Sequence, residues 1–403
     1  MLKSCTLKKL KFILTMATGV SICMPAWAAL HIDKFQPYLG YAVLYDNNLL
    51  RSPDDGIVLK DVYHRAEGGL LLEALLSQQK LIANLNFNRT QFKRYDLLDN
   101  NGKDLLAQWN WRIGPHVEGN LGKSYVQSLS QFVEFHDLQR NLRTQQREFL
   151  DAAWLFHPEW RIRGGASRAT LDYNLLSQRS LDRTEDTGEL GIDYLAPTNS
   201  TIGLQLRHIR GEFPYPQQLG SILIDNSYTQ NEVKAKIKWT LSGKSQLQFL
   251  GGRVKRQHDF FPARDSNTSN ARLIANWVPS AKIGITLNTW QETGAVEDLT
   301  ASYTFNQGVS LDSRWDMTSK IRLELQLRHE SRDYQGDPTF TWLAPTERKD
   351  IYRTASFTWL YTPLQHLKTG LMVQHEQRDS NISYYSYRAN SAMINVRYEF
   401  GTP

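Results

Sequence analysis

From about residue 35 to its end the chain alternates apolar and polar residues with period two, in runs of about ten. No other feature limits its fold as tightly. Val233, Ala235, Ile237, Trp239 and Leu241 interleave with Glu232, Lys234, Lys236, Lys238 and Thr240. Ile321, Leu323, Leu325 and Leu327 interleave with Arg322, Glu324, Gln326 and Arg328. Leu81, Ala83, Leu85 and Phe87 alternate with Ile82, Asn84, Asn86 and Asn88, and Leu105, Ala107, Trp109, Trp111 and Ile113 with Leu106, Gln108, Asn110 and Arg112. Successive side chains of a strand point to opposite faces, so each run has one dry face and one wet face. An amphipathic helix would space its apolar residues three and four apart, and these runs do not.

A second regularity lies on the first. An aromatic residue recurs a few positions before a short turn, at intervals of roughly 40 residues, the length of one hairpin. Trp111 precedes Gly114-Pro115, Trp154 precedes His157-Pro158, Tyr194 precedes Ala196-Pro197, and Trp239 precedes Ser242-Gly243. Trp277 precedes Pro279-Ser280, Trp315 precedes Thr318-Ser319, and Trp359 precedes Thr362-Pro363. With Ser77-Gln78-Gln79 these make about eight tight turns, nine hairpins and 18 strands. Amphipathic aromatics collect at a membrane–water boundary, which explains their place beside tight periplasmic turns. A β-propeller has a similar period, but the sequence carries no repeated blade signature. Longer polar segments at Asp96–Asp104, Tyr215–Asn226, Asp259–Asn270, Ser331–Lys349 and Asp379–Ala389 read as the extracellular loops.

The N-terminus settles the compartment. Lys3, Lys8, Lys9 and Lys11 precede an apolar stretch from Phe12 to Met24, and Ala26-Trp27-Ala28 offers small residues where a signal peptidase reads. The stretch falls short of the roughly 20 residues that span a bilayer. Ile22 before Cys23 does not suit a lipobox. Cleavage is expected after Ala28, with Ala26 and Ala28 as the recognised positions. Lys+Arg then falls from 47 to 43 against 41 Asp+Glu, and the net charge from +6 to about +2. A nucleic-acid partner loses its support. Both cysteines, Cys5 and Cys23, leave with the leader, so no disulfide, thiol nucleophile or thiolate metal site is expected.

The expectation is therefore an all-β fold: a transmembrane, antiparallel, up-and-down β-barrel of the bacterial outer membrane, about 18 strands, both termini periplasmic. It comprises a cleaved signal peptide at 1–28, a short periplasmic segment at 29–34 and the barrel at 35–403. In hydrocarbon every backbone polar group must be paired within the protein, which leaves only helices and closed barrels. The final strand alternates Ile394, Val396, Tyr398 and Phe400 with Met393, Asn395, Arg397 and Glu399. Such a strand resembles the signal read by the barrel assembly machinery, although Gly401-Thr402-Pro403 follow the terminal aromatic.

Chemistry is sparse. The sequence has no phosphate-cradling glycine loop, no His-Glu-x-x-His, no Gly-x-Ser-x-Gly and no carboxylate metal loop. No cofactor and no metal are expected. His329-Glu330 and His375-Glu376 are adjacent pairs, but neighbours on a strand face opposite sides. What stands out is inward positive charge. The period places Arg112, Arg161, Arg163, Arg207, Lys234, Lys236, Lys238, Arg272, Arg322, Arg328, Lys368 and Arg397 toward the lumen. Glu232, Glu324, Glu376 and Glu399 are the acids expected there. At about 18 strands a barrel holds an aqueous channel unless something fills it. An excess of lumen cations would favour anionic solutes or an acidic polymer, with Lys234–Lys238 as the leading run; a bracing Arg–Glu ladder is the alternative.

Tyr45-Asp46-Asn47-Asn48-Leu49-Leu50-Arg51-Ser52-Pro53-Asp54 resembles the opening strand and loop of outer-membrane barrels of exopolysaccharide biosynthesis operons, the exosortase-B-associated EpsL type. The chain's length, its leader and its all-barrel remainder fit that family along the whole sequence. The resemblance implies export of a polysaccharide across the outer membrane, with periplasmic export proteins as partners and no catalytic residues. The expected function is a non-enzymatic channel passing an acidic polysaccharide through a water-filled, cation-lined lumen. Two alternatives stand beside it: a general or substrate-specific diffusion porin for small anionic solutes, and an outer-membrane enzyme acting on lipid or surface glycan. A porin should fold a long loop inward, and the loops read from the sequence look too short for that.

Overall fold

The computed structural model describes residues 31–219, 222–260, 262–295, 303–335 and 348–401. Its strands are β1 (His31–Asp46), β2 (Asp61–Leu76), β3 (Gln79–Phe92), β4 (Asn100–Ile113), β5 (Val117–Leu129), β6 (Leu142–His157) and β7 (Trp160–Tyr173). They continue as β8 (Arg183–Leu195), β9 (Thr201–Glu212), β10 (Gln217–Leu219), β11 (Ile222–Ile224), β12 (Tyr228–Ser242), β13 (Ser245–His258) and β14 (Ser266–Ser280). The last are β15 (Ile283–Ala295), β16 (Tyr303–Asp316), β17 (Ile321–Gln335), β18 (Lys349–Leu364), β19 (Leu367–Ser380) and β20 (Tyr387–Glu399). β10 and β11 form a small hairpin of their own, and the other strands make one 18-stranded antiparallel sheet. β9 pairs with β12 across the hairpin, and β20 closes on β1 from Tyr38–Glu399 to Asp46–Ser391. Closure removes both edges.

The period-two runs become the two faces of this wall. Leu190, Ile202, Trp239 and Ile394 are each more than half exposed on the outside. Dozens of large apolar side chains share that fate. Exposing a Val, Leu, Ile or Phe to water forfeits roughly 1.5–3 kcal/mol. Summed over this face, the loss would exceed the usual net stability of about 5–15 kcal/mol. Lipid removes it, so the outer face is a membrane face. Trp154, Trp239, Trp277 and Trp315 ring its lower margin beside the tight turns.

All eight expected turns lie at one end of the barrel. Two fall slightly later than expected. β14 continues through Pro279 to Ser280, and β18 through Pro363 to Leu364, each with a register shift just before its end. Proline donates no N–H to a ladder, and a bulge accommodates it without ending the strand. Gly114 supplies the left-handed residue (φ 59°) of the β4–β5 turn. Strand pairing begins at His31, so residues 31–34 belong to the wall and not to a free periplasmic segment. The signal peptide, with Ala26 and Ala28, lies outside the described residues.

Strands of 12 to 16 residues exceed the roughly 9–11 that cross hydrocarbon. The surplus rises at the long-loop end, where the outer face turns polar. There Lys123, Glu148, Arg168, Asp186 and Arg210 stand on one register line across β5 to β9. Lys123–Glu148 and Arg168–Asp186 pair at 2.7 and 2.6 Å. This alternating rung marks the upper limit of the apolar band on that side.

Candidate functional site

The connection from β5 to β6, residues 130–141, leaves the wall and enters the lumen. Its neck is held by Ser130 N donating to Asn141 O at 2.7 Å. The loop then packs on a second inward segment, residues 47–60 between β1 and β2. Phe132 joins Leu49, Leu50, Phe92 and Leu98 in an apolar cluster inside the barrel mouth. His136 Nδ1 donates to Leu50 O at 2.9 Å. Beyond this cluster the loop reaches β17 to β19, on the far side of the barrel in strand order. There Arg348 Nη2 donates to Glu134 Oε2 at 2.8 Å, and Arg378 Nη2 donates to the same oxygen at 3.2 Å. The Tyr334 and Tyr352 hydroxyls donate to Oε1 at 3.4 and 3.3 Å, and Arg378 Nη1 donates to Val133 O at 2.6 Å. The loops read from the sequence look too short to fold inward as a constriction. This loop corrects that, and it was not among the five loops expected.

The receiving wall is built to hold two guanidinium groups. Arg348 and Arg378 are 4% and 0% exposed and share the wholly buried Asp350, at 2.8 and 2.7 Å. Arg348 is stacked on Tyr334 and Tyr385, 3.8 and 3.5 Å from the ring centres. Asp350 pairs with both cations, and Glu134 pairs with both from the loop side. A buried charge without a partner is costly, so the docked carboxylate balances the cluster.

The segment behind the family resemblance holds the other side. Asn48 N and Arg51 Nη1 donate to Asp46 at 2.8 Å each, and Asn48 Nδ2 donates to Ser52 O at 2.9 Å. Arg51 adopts a left-handed backbone (φ 55°) and donates through Nε to Glu376 at 3.2 Å. This tight knot turns Leu49 and Leu50 inward as the floor on which Phe132 rests.

All twelve cations expected in the lumen stand on the inward-facing side of their strands. The wall around them carries more acids than the four expected there, and most of the cations are paired. Arg112 pairs with Glu118, Arg161 and Arg163 with Asp193, and Arg272 with Glu292. Arg322 pairs with Asp316, and Arg328 with Glu330. Arg207 and Lys234 share Glu232, and Lys368 and Arg397 share Glu399. Lys234 is therefore neutralised by Glu232 on its own face. Lys236 and Lys238 lie on the same face, between the outward Val233 and Leu241.

A common arrangement runs through these pairs. One carboxylate lies back against the wall and two cations reach past it. Glu330 is 2% exposed while Arg328 and Arg332, which both bind it, are 49% and 30% exposed. Glu399 and its two cations repeat the pattern, as does Asp316 between Arg314 and Arg322. The Glu330 and Glu399 triads each leave one positive charge facing the lumen, whereas Glu324, opposite Arg314, offsets the third. A solute thus meets cations although the total charge is nearly balanced.

What the loop leaves open is a cavity of about 1420 Å³. Amides of Asn84, Asn86 and Asn88 line it on β3, and Arg328, Arg332 and Arg397 line it on β17 and β20. His329 and His375 stand on the outer side of their strands and Glu330 and Glu376 on the inner, so neither adjacent pair forms a unit. Among the described residues no three His, Cys, Asp or Glu side chains are grouped to hold a metal. Ile394, Val396, Tyr398 and Phe400 lie exposed on the outer face of the last strand and the residue after it.

No protein-family model matches the sequence, and no curated protein matches it. Solved structures do match over nearly the whole chain. The outer membrane protein OpdK of Pseudomonas aeruginosa is 10% identical, with a TM-score of 0.50 over 92% of this chain and 100% of that one. A BenF-like porin from Pseudomonas fluorescens Pf-5 is 11% identical, with a TM-score of 0.50 over 92% of this chain and 100% of that one. OccK2 (OpdF) of Pseudomonas aeruginosa is 11% identical, with a TM-score of 0.51 over 92% of this chain and 98% of that one. OccK2 has also been solved in complex with glucuronate. The chain shares the fold of these outer-membrane porins.

Proposed function

We propose that this barrel is a selective diffusion channel of the outer membrane for small anionic solutes, organic carboxylates above all. The observation that carries the reading is the loop 130–141, anchored through Glu134 to Arg348 and Arg378 across the bore. A conduit for a growing polymer needs a clear passage, whereas a filter for small solutes needs a constriction. The lumen cations add the sign: triads on β9–β12, β17 and β19–β20 each turn an excess positive charge toward the water. A porin of the same fold binds glucuronate, a solute of this class. In this reading the tight turns and both termini are periplasmic, lipid covers the apolar band, and the assembly machinery reads the final strand.

Replacing residues 131–139 by a short Gly-Ser link tests the reading in planar bilayers. Single-channel conductance should rise several-fold and discrimination between small and large anions should fall. Equal conductance with and without the loop would contradict the reading. Polysaccharide export, implied by the resemblance of residues 45–54, would then return to the front, and its direct check is secretion in a deletion strain.

A further inference from the structure

The anchoring cluster has a feature that constriction alone does not require. We infer that Arg348, Arg378, Tyr334 and Tyr352 form a binding site for the carboxylate of a permeating organic acid. Glu134 occupies that site as an internal stand-in which the solute displaces. The inference rests on the channel reading above and deepens it.

Four donors from the wall converge on one carboxylate, two guanidinium groups on Oε2 and two phenols on Oε1. Every donor belongs to β17, β18, β19 or the residue just before β18, and only the acceptor comes from the loop. The donors are fixed without it. Asp350 holds both guanidinium groups, and the Tyr334 and Tyr385 rings carry Arg348. The wall is therefore a preformed cage of two guanidinium groups and two phenols, and a carboxylate of similar shape can take the place of Glu134. Two arginines and two hydroxyls select a planar, two-oxygen anion over chloride, which accepts at a single centre.

A solute can reach the cage. Glu134, Tyr334 and Tyr352 line the central cavity, and so does Arg332, stacked 4.1 Å over the Tyr352 ring and 30% exposed. Arg332 thus stands beside the cage, over the ring of one of its two tyrosines. The Ser130–Asn141 neck closes the loop at its base, so Glu134 swings out without unpairing β5 or β6. Displacement thus releases the far-side anchor of the segment that narrows the bore, while Phe132 and His136 keep its other side on Leu50. The solute that the channel selects is also the one that opens it.

An internal competitor lowers the apparent affinity of an external ligand by the fraction of time that the site stands free. Glucuronate titrated into the full barrel in detergent should therefore bind Glu134→Gln at least about tenfold more tightly than wild type, with uncharged glucose binding neither. Glu134→Asp, whose carboxylate falls short of the cage, should also bind glucuronate more tightly than wild type, and it serves where Glu134→Gln fails to assemble. Equal or weaker binding by the variant, or no binding to either protein, overturns the inference. The binding difference is read in detergent without conduction. Failure of the channel reading appears separately, as a wild-type barrel with no anion preference in potassium chloride.

Discussion

His136 stands two residues beyond Glu134, and its ring is partly buried only while the loop is docked. Its Nδ1 is committed to Leu50 O, its ring lies edge-on to Tyr384 at 5.1 Å, and its Nε2 has no hydrogen-bond partner. Burial, aided by the nearby Arg348 charge, holds its pKa below the usual imidazole range. Protonation would add a charge to a ring that burial and the Arg348 charge hold neutral. The docked loop binds that proton less readily than the free loop does. Docking is therefore fully stable above the ordinary imidazole pKa of about 6.5 and weakens as pH falls below it. Current fluctuations from loop undocking should grow between about pH 6.5 and pH 5, and His136→Gln should abolish that dependence. An unchanged pH dependence in the variant would place the titration elsewhere. At this scale the sequence is half legible. Alternation gives the direction of Arg328 or Lys368, because direction follows from parity along one strand. It is silent on Glu330 reaching both Arg328 and Arg332, or on Glu399 taking a cation from the neighbouring strand, because pairing depends on rotamers and register between strands.

Among the elements, strands and tight turns are plain in the sequence for one reason: each residue of the wall must satisfy either lipid or water. The loops face no such demand. Residues 130–141 read Ser-Gln-Phe-Val-Glu-Phe-His-Asp-Leu-Gln-Arg-Asn, too apolar for an ordinary surface loop and without a period. Phe132 and Leu138 without a period between two alternating runs were the available signal of a segment that buries itself inside the barrel. Leu49-Leu50 carried the same signal inside the motif that gave the family resemblance. The sidedness of the elements can be checked by labelling, since removal of the leader leaves a chain without cysteine. Cysteines at Asn267 or Gln335, near the long-loop end, should react with an impermeant thiol reagent on intact cells. Cysteines at Ser280 or Ser319, beside the tight turns, should stay unlabelled. The inverse pattern would turn the barrel over in the membrane.

For the whole molecule, closure and charge act together. Eighteen strands enclose a bore wide enough for water, and without the loop such a bore would discriminate weakly among small solutes. The loop narrows it, and the triads give the remaining passage a sign. Because Glu330 and Glu399 are recessed while Arg328 and Lys368 are not, the sign seen by a solute exceeds what the net charge of about +2 expected after loss of the leader would suggest. Screening limits the effect, since the Debye length is about 10 Å at 0.1 M salt and about 3 Å at 1 M. The most direct test of a cation-faced, anion-passing lumen is the reversal potential of the wild-type channel across a potassium chloride gradient. Chloride should be favoured at low salt, with the preference shrinking toward 1 M as screening grows. A reversal potential near zero, or one favouring potassium at low salt, would contradict it.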